Sequence, residues 1–388
     1  MKWTARPFRS RFLPSLNDAT TEETYRMVMI INEEEGKDLL PMGECIDLME
    51  DVFREFGRGN GVNPPRLRYS CPTPDPTANY FANIHAGALP KYGVAAVRLN
   101  SRLTEERDDE TRRVEFKHPT GRYWGQFLIY SLETAELLGI IVDGTISPLR
   151  VGATSGAAVR LLARPDSRVA GLFGTGHQAE LHARALAAAL PLQRMKVYSP
   201  SRAHREDFCA RFGDELRIPV TSAAEPGEVV KGSDVICCAT SSSGPVFDGR
   251  DLEPGQTVVS IVNSDVVFER HEVDRETIRR SDLIVVNARE SLHANRQKEL
   301  LDPIEAGETS WDKVAELGEV VNGTAPGRRD PAEIIYYKNN SGMAIQFAAV
   351  GKAMLDKARE TGVGRELPGE WFSADLEPWF ARGYSPAS

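Results

Sequence analysis

The apolar and polar positions divide the chain into an irregular start, a strand-rich stretch and a long alternation of strands and helices. Residues 1–28 are first basic and then acidic, with no periodic pattern, and we expect an arm that lies over the body or is partly disordered. The run VMII from Val28 predicts a short strand. Apolar side chains at helical spacing in residues 42–56 then predict an amphipathic helix, ended by Gly57 and Gly59.

Residues 60–143 carry a pattern of strands and turns. FLIYSL followed by LLGIIV across a turn predicts a β-hairpin, and the charged run at residues 105–113 predicts a solvated loop between strands. This stretch therefore indicates a β-rich first domain.

Short apolar runs alternate with helical segments from residue 168 to residue 286. Runs such as SDVICCAT and SDLIVV are typical of strands buried on both faces of a parallel, doubly wound sheet. After Val286 the pattern predicts that the chain leaves this sheet and continues to a long alanine-rich helix, stopped by Gly362, that packs on the first domain. We therefore predict an α/β protein with three parts: an N-terminal arm (1–28), a discontinuous α+β domain (29–150 and 320–388) and a Rossmann-type dinucleotide-binding domain (151–319).

A strand–turn–helix motif opens the second domain. The apolar run 169–173 meets a glycine turn, in which Gly174 permits a tight turn and Gly176 lets the backbone approach a pyrophosphate. Ala179 lets the helix pack closely on the strand, and the helix N-terminus holds the anion. A six-residue glycine motif is weak evidence by itself, but the downstream alternation favours a cofactor site. Its candidate residues are Gly174, Thr175, Gly176, His177, Gln178 and Ala179.

The end of the second strand indicates which dinucleotide is bound. An NAD site places an acidic residue there, whereas an NADP site needs cations for the 2′-phosphate. The segment 198–205 contains no acid and offers Ser199, Ser201, Arg202 and Arg205, which favours NADP over NAD. The alternative is that both arginines are exposed residues of the next helix.

The loops after two later strands are expected to face the nicotinamide. Thr240 and Ser241 lie in a small polar loop, where backbone can approach a cofactor closely. Asn263 and Asp265 follow another buried strand, at the edge where open α/β sheets bind ligands. Asp265 either turns the chain, which is the usual role of aspartate after a strand, or acts as an acid and base.

Four arginines border apolar runs of the first domain: Arg66, Arg68, Arg98 and Arg150. Each alone is more often a surface residue than a ligand. Together they are candidates for a clamp on a carboxylate, because the guanidinium fork presents paired donors.

Composition excludes several other classes of function. The 388 residues carry a net charge of −9, which argues against nucleic acid and anionic membranes as partners. No apolar run approaches the ~18 residues of a membrane span, and the N-terminus lacks a secretory h-region. Five irregularly placed cysteines indicate reduced thiols and a cytoplasmic setting. The scattered histidines form no recognised metal motif, so we expect no metal site.

Several longer segments carry a family resemblance. They are MIINEEEGKDLLPMGECIDLMEDVF, DGTISPLRVGATSGAAVRLLAR, FGTGHQAELHARAL, SDVICCAT with SSSGPVFDG, and IIYYKNNSGMAIQFAAVGKA. In these motifs, from about Met29 to Leu367, the chain resembles the ornithine cyclodeaminase and mu-crystallin family.

The resemblance implies a two-domain NAD(P)-dependent enzyme that forms a homodimer through its non-nucleotide domain. Members include ornithine cyclodeaminases, ketimine reductases and alanine dehydrogenases, which exchange hydride between nicotinamide and the Cα of an amino acid or its imine. It places the substrate-carboxylate arginines at Arg66, or alternatively Arg68, and at Arg150. The family's active-site lysine falls on Arg98, and its acid/base falls on Asp265.

Arg98 is a departure from the family pattern. A lysine can lose its proton in an apolar pocket, whereas arginine stays charged and can only bind and polarise. We therefore expect an NADPH-dependent reductase of a carboxylate-bearing imine or ketimine, in which Arg98 orients the substrate and Asp265 relays the proton. The alternatives are a cyclodeaminase-type lyase and a non-catalytic, NADPH-dependent binder of the mu-crystallin kind.

Overall fold

A computed structural model describes residues 27–106, 114–117, 119–264, 269–340 and 342–374. All but the last two residues of the predicted arm fall outside these ranges. So do Asp265 and most of the charged run predicted as a solvated loop.

The described ranges contain strands and helices in the following chain order. The strands are β1 Val28–Ile31, β2 Leu67–Pro72, β3 Asn79–Leu89, β4 Val94–Glu106, β5 Val114–Lys117, β6 Trp124–Ser131, β7 Leu137–Val142, β8 Val169–Phe173, β9 Arg194–Tyr198, β10 Val220–Ser222, β11 Val235–Cys238, β12 Thr257–Ser260, β13 Leu283–Val286, β14 Val314–Glu316, β15 Ile335–Lys338 and β16 Arg365–Leu367. The helices are α1 Glu33–Gly36, α2 Met42–Gly57, α3 Ile146–Leu162, α4 His177–Ala189, α5 Arg202–Leu216, α6 Pro226–Val230, α7 Arg275–Arg280, α8 Arg289–Ala294, α9 Lys298–Glu305, α10 Leu317–Val321 and α11 Ala344–Thr361.

The first domain is built on a mixed sheet in the order β16-β1-β7-β6-β4-β3-β2, with β5 paired to β4. Strands β6 and β7 form the predicted antiparallel hairpin. Helix α11 packs across β3, β4 and β6, as the sequence predicted, and ends at Gly362 in the left-handed conformation. Residues alternate between the two faces of this sheet, so β4 directs Arg98 and Arg102 to one face and Val97 and Leu99 to the other.

The second domain is built on a parallel sheet in the order β10-β9-β8-β11-β12-β15-β13-β14. All residues of β11, β12, β13 and β15 are buried, which explains why these runs are apolar throughout. The strand order reverses direction between β8 and β11, and the crevice at such a point binds ligands in open α/β sheets. The predicted two-domain α/β fold is confirmed.

One prediction about this sheet is wrong. The chain does not leave it after Val286, since β14 and β15 both belong to it and β15 lies between β12 and β13. The run IYYK is too short to reveal a period, so the sequence alone could not separate it from the loop before the long helix. β15 therefore belongs to the nucleotide sheet, although it lies in the range 320–388 that was assigned to the first domain.

Helices α2, α3 and α4 connect the two sheets. Helix α3 packs on α2 and on α4, and one hydrophobic core continues through this layer. Gly156 lets α3 approach α2, because a Cβ there would lie 2.7 Å from Ile46. This helical layer therefore joins the hydrophobic cores of the two domains. None of the described helices is long and apolar enough to cross a membrane.

Candidate active site

The glycine turn after β8 has the geometry that a dinucleotide requires. Gly174 has φ +108°, and its N–H donates to the carbonyl of Tyr198 at 2.8 Å. A Cβ at this position would lie 2.3 Å from the carbonyl oxygen of Ala239, so only glycine fits. The turn is therefore clamped between the loops that follow β9 and β11.

The N-terminus of α4 opens onto a cleft beside this turn. Its N-cap is Gly176, which provides no capping side chain, and a Cβ there would meet nothing within 4 Å. The first N–H groups of a helix have no intrahelical partner, and they favour an anion. Ala179 is fully buried, as its packing role requires.

The cleft has a volume of ≈ 820 Å³. It is lined by Phe173, Gly174, Thr175, Gly176, His177, Gln178, Tyr198, Ser199, Pro200, Ser201, His204, Pro226, Ala239, Thr240, Ser241, Ser242, Pro245 and Val246. The volume, the close glycine turn and the open helix N-terminus fit a nicotinamide dinucleotide.

The two arginines that the sequence analysis proposed for a 2′-phosphate have different surroundings in the turn after β9. Arg202 is exposed and pairs with Glu206 at 2.7 Å, as the alternative interpretation expected. Arg205 is buried instead: it stacks 5.2 Å from the Tyr198 ring and donates to the carbonyl of Ser199. The structure thus brings neither guanidinium to the cleft lining, and Arg205 holds the turn.

Ser199 and Ser201 lie in the cleft wall, and Ser201 caps α5 by accepting from the N–H of His204 at 3.3 Å. His204 also lines the cleft, and the sequence analysis assigned it no role. Its signal was available, because His204 lies inside the segment 198–205 that was considered for the 2′-phosphate.

A buried carboxylate organises the loops after β11 and β12. Glu272 is fully buried and accepts from the N–H and hydroxyl of Thr240 at 2.7 and 2.8 Å. It also accepts from the backbone N–H groups of Ile261 and Val262, both at 2.9 Å. Burial raises the pKa of this carboxyl, and the hydrogen bonds from Val262 and Thr240 oppose the shift. Thr240 and Ser241 are therefore held against the cleft by a residue that the sequence analysis left without a role.

Lys338, at the end of β15, forms a buried charge pair with Glu299 of α9. Lys338 is fully buried, contacts the Glu299 carboxylate at 3.0 Å and donates to the carbonyl of Val262. Burial lowers the pKa of Lys338, but the Glu299 carboxylate outweighs it, so this pKa is raised overall. Asn263 donates to the carbonyl of Asn339 at 3.2 Å, and its buried Oδ1 has no hydrogen-bond partner among the described residues.

A hydrogen-bond chain connects this edge to the cofactor helix. Asn339 donates to the Ser155 hydroxyl at 3.0 Å, and Ser155 lies 3.0 Å from Nε2 of His182. Nδ1 of His182 lies 2.7 Å from the carbonyl of Gln178 and therefore carries the proton. Burial lowers the pKa of His182 to about 4, so the ring is neutral at pH 7.

The mixed sheet directs Arg98 toward the same region. Arg98 is 5% exposed and forms an ion pair through Nε with the fully buried Asp143. Its Nη2 donates to the Tyr123 hydroxyl at 2.9 Å and to the Ser147 hydroxyl at 3.3 Å. The guanidinium lies 5.1 Å from the ring of Phe347. Arg98 is thus fixed in position rather than free to move with a substrate.

Arg150 lies on the other side of Phe347, 4.8 Å from the ring, and donates to Gln346 at 2.9 Å. Its buried Nε has no hydrogen-bond partner among the described residues. Burial, and then repulsion from Arg98, lowers its pKa to about 9. Arg66 binds Asn295 of the second domain at 3.1 Å, while its buried Nη2 likewise has no partner in the described ranges.

Arg68 donates to Asn83 at 3.3 Å on the neighbouring strand. The structure therefore brings the four sequence-predicted arginines to one face of the mixed sheet, against the carboxyl edge of the nucleotide sheet. Asp265, the predicted acid/base, lies outside the described residues, so its position stays a prediction.

Three comparisons with known proteins agree with this architecture. A model of the ornithine cyclodeaminase/mu-crystallin family matches residues 27–362. The structure of Δ1-pyrroline-2-carboxylate reductase from Thermococcus litoralis, in complex with NADH and L-proline, superposes with a TM-score of 0.76 at 26% identity, over 88% of this chain and 100% of that one. An archaeal alanine dehydrogenase dimer with bound NAD superposes with a TM-score of 0.74 at 24% identity, over 88% of this chain and 99% of that one. Δ1-pyrroline-2-carboxylate reductase from Bacillus cereus is 24% identical over 341 residues, covering 88% of this chain and 99% of its own.

Proposed function

The chain belongs to the ornithine cyclodeaminase/mu-crystallin family, and we propose that it reduces the C=N bond of a carboxylate-bearing imine or ketimine with NADPH. One observation carries the proposal. A face that carries the buried Arg98 and Arg150 and the partly buried Arg66 and Arg68 meets the carboxyl edge of a dinucleotide-type sheet, so an anionic substrate and a nicotinamide would occupy adjacent space.

In this reaction the imine carbon gains a hydride, the nitrogen gains a proton and the nicotinamide is oxidised. When bound, the reduced nicotinamide supplies that hydride. Arg150 and Arg66 bind the α-carboxylate, because each has a buried nitrogen that no described residue satisfies. Arg98, held by Asp143 and Tyr123, orients the imine and polarises it without exchanging a proton. The proton is assigned to Asp265.

NADPH preference is supported by the turn after β9. Ser199, Ser201 and His204 form the cleft wall there, and the turn contains no carboxylate that would repel a 2′-phosphate. Arg202 lies at the start of α5, and breaking its ion pair with Glu206 makes the guanidinium group available to the 2′-phosphate. Titration of nicotinamide fluorescence with NADPH and NADH tests this, and NADH binding of equal or greater strength would contradict it. Arg202→Gln is expected to weaken NADPH binding without changing the melting temperature. Arg205→Gln is expected to weaken NADPH binding and also to lower the melting temperature.

The reaction is tested by incubating the protein with NADPH and a panel of cyclic ketimines, or 2-oxo acids with ammonia or methylamine, while absorbance at the reduced-nicotinamide band is followed. Oxidation that depends on the imine and is lost in Asp265→Asn supports the reductase. Ammonia release from ornithine without net cofactor change indicates a cyclodeaminase. Tight NADPH binding with no turnover of any substrate indicates a non-catalytic small-molecule binder. Such a protein needs no proton-exchanging group, so an arginine at position 98 would be sufficient.

We further propose a homodimer formed through the outer face of the mixed sheet. Large apolar side chains are exposed together on this face, opposite the arginines; they are Leu67, Tyr69, Val97, Leu99 and Trp124. Trp124 is 63% exposed and Leu67 59% exposed. Contiguous exposed apolar surface of this kind marks a protein interface, and a second copy of this chain presents the same surface.

A further inference from the structure

A buried histidine, His85 of β3, lies directly opposite Arg98 of β4. Because opposite residues of an antiparallel pair share a face of the sheet, with Cβ atoms about 5 Å apart, both side chains extend toward the same region. The His85 ring lies 5.9 Å from the ring of Phe347. The guanidinium groups of Arg98 and Arg150 lie against the same ring. Phe347 thus holds an imidazole and two of the proposed substrate arginines together.

His85 is 3% exposed, and neither of its ring nitrogens has a hydrogen-bond partner among the described residues. Buried polar groups of native proteins are almost always hydrogen-bonded. The fully buried His182 shows the ordinary case, since its nitrogens lie 3.0 Å from the Ser155 hydroxyl and 2.7 Å from the carbonyl of Gln178. The nitrogens of His85 therefore point to a ligand that supplies the partner.

The imidazole differs chemically from the arginines around it. Nη2 of Arg66 and Nε of Arg150 are buried without a partner in the described ranges, and both are donors that suit a carboxylate. A guanidinium cannot accept a hydrogen bond, whereas a neutral imidazole has one nitrogen that does. Burial, and then repulsion from Arg98 and these two arginines, lowers the pKa of His85 well below its usual value, so the ring is neutral. His85 therefore adds an acceptor to a set of donors.

A carboxylate-bearing imine presents the complementary groups. When the imine is protonated, a cationic N–H group lies on the carbon next to the carboxylate. The arginines repel this cation, whereas a neutral imidazole accepts its N–H without adding charge. Hydride transfer to the carbon leaves a new lone pair on the nitrogen, and that lone pair takes the proton assigned to Asp265. The N–H held by His85 therefore stays in place throughout the reaction.

We propose that His85 binds the substrate nitrogen by accepting a hydrogen bond from its N–H group, while Arg66 and Arg150 bind the carboxylate. This inference rests on the proposed imine reductase function and adds a catalytic contact to it. Contacts at both the nitrogen and the carboxylate fix the plane of the C=N bond, which hydride transfer requires. The role is separate from the proton transfer assigned to Asp265.

Two flat carboxylates of nearly the same shape test this contact without turnover. Pyrrole-2-carboxylate has an N–H group where furan-2-carboxylate has a ring oxygen. In calorimetric titration of the NADP⁺-saturated protein, we expect the pyrrole to bind at least ~5-fold more tightly, the effect of about one hydrogen bond. His85→Met is expected to remove this preference while changing the affinity for the furan less than about threefold.

Two polar variants identify the ring nitrogen that faces the substrate. Asparagine places its amide oxygen near the position of Nδ1, and glutamine places it near the position of Nε2. One of His85→Asn and His85→Gln is therefore expected to retain the preference for pyrrole-2-carboxylate that His85→Met loses.

The melting temperature of the ligand-free protein tests whether His85 only fills the core. His85→Met replaces an imidazole that has no hydrogen-bond partner in the described parts of the chain by an apolar side chain, so it should melt at the parental temperature or above. The control His182→Met removes an imidazole with two partners and should melt at a lower temperature. A lower melting temperature for His85→Met, together with an unchanged preference for the pyrrole, would show that His85 is a core residue only.

The binding measurements keep this inference separate from the proposed function. A preference for the pyrrole that disappears in His85→Met supports the contact even if no imine is reduced. Equal affinities, binding of neither carboxylate, or a preference that survives His85→Met overturn it, even if the imine of pyruvate and methylamine is reduced well. In an active reductase, His85→Met should also lower kcat/KM for that imine by at least ~10-fold without changing the affinity for NADPH.

Discussion

Arg98 is expected to have a structural role and a substrate role, which one pair of substitutions separates. Arg98→Met keeps a long apolar stem against Phe347 but removes the charge that Asp143 requires. Asp143 is fully buried, and the Arg98 guanidinium forms an ion pair with it.

The magnitude follows from this burial. Breaking a buried ion pair by removing one partner costs about 3–5 kcal/mol, because the remaining charge is left without compensation. The Tyr123 and Ser147 hydroxyls that Arg98 holds lose a donor as well, at about 1 kcal/mol each. We expect Arg98→Met to lower the free energy of unfolding by about 5–7 kcal/mol. The double variant Arg98→Met with Asp143→Asn removes both charges and should recover most of this loss.

Urea unfolding followed by tryptophan fluorescence measures stability, and imine-dependent oxidation of NADPH measures function on the same samples. The double variant should be stable and should bind NADPH, yet its KM for the imine should rise by more than ~10-fold. If the free energy of unfolding of Arg98→Met lies within ~1 kcal/mol of the parent's, as is usual for a surface substitution, the structural argument is refuted. A double variant with parental kinetics would show that Arg98 does not contact substrate.

Further predictions concern the cofactor turn, acid stability and assembly. Gly174→Ala should lower stability by about 1–3 kcal/mol and abolish dinucleotide binding, because φ is +108° and the Cβ meets a carbonyl oxygen, whereas Gly176→Ala should weaken binding in fluorescence titration without changing the melting temperature. His182 has a pKa lowered from 6.5 to about 4, so the unfolded chain binds the proton more readily; stability should be complete above pH 6.5 and fall by about 3 kcal/mol toward pH 4. His182→Gln should flatten that decline in pH-dependent melting curves, and an unchanged slope would contradict the assignment. Leu99→Glu should convert the dimer to a monomer in light scattering, whereas the control Arg211→Glu, on the exposed face of α5, should not. A Leu99→Glu protein that remains dimeric would exclude the outer face of the mixed sheet as the interface.

The sequence by itself determined the elements whose signals are local. The apolar run, glycine turn and alanine-rich helix around Gly174 lie within about twenty residues, and backbone geometry at the turn permits only glycine. The hairpin of β6 and β7 and the helix ended by Gly362 were predicted for the same reason, because period and turn chemistry act over a few residues. The four arginines were found as candidates, since charged residues beside apolar runs are visible in the sequence.

Only the tertiary structure decided what the candidate residues touch. Arg202 and Arg205 are three residues apart and indistinguishable by pattern, yet the fold exposes one and buries the other under Tyr198. The strand that contains Lys338 enters the sheet between strands that precede it by about fifty residues and more, and no local period marks that insertion.

The buried partners are equally remote along the chain. Arg150 meets Gln346 across 196 residues, and Arg66 meets Asn295 across 229. The periodicity of apolar positions depends on residues that are close together in the sequence. Burial, pKa and hydrogen-bond partners depend instead on which distant segments of the chain lie next to each other, and this is decided only when the two domains pack together.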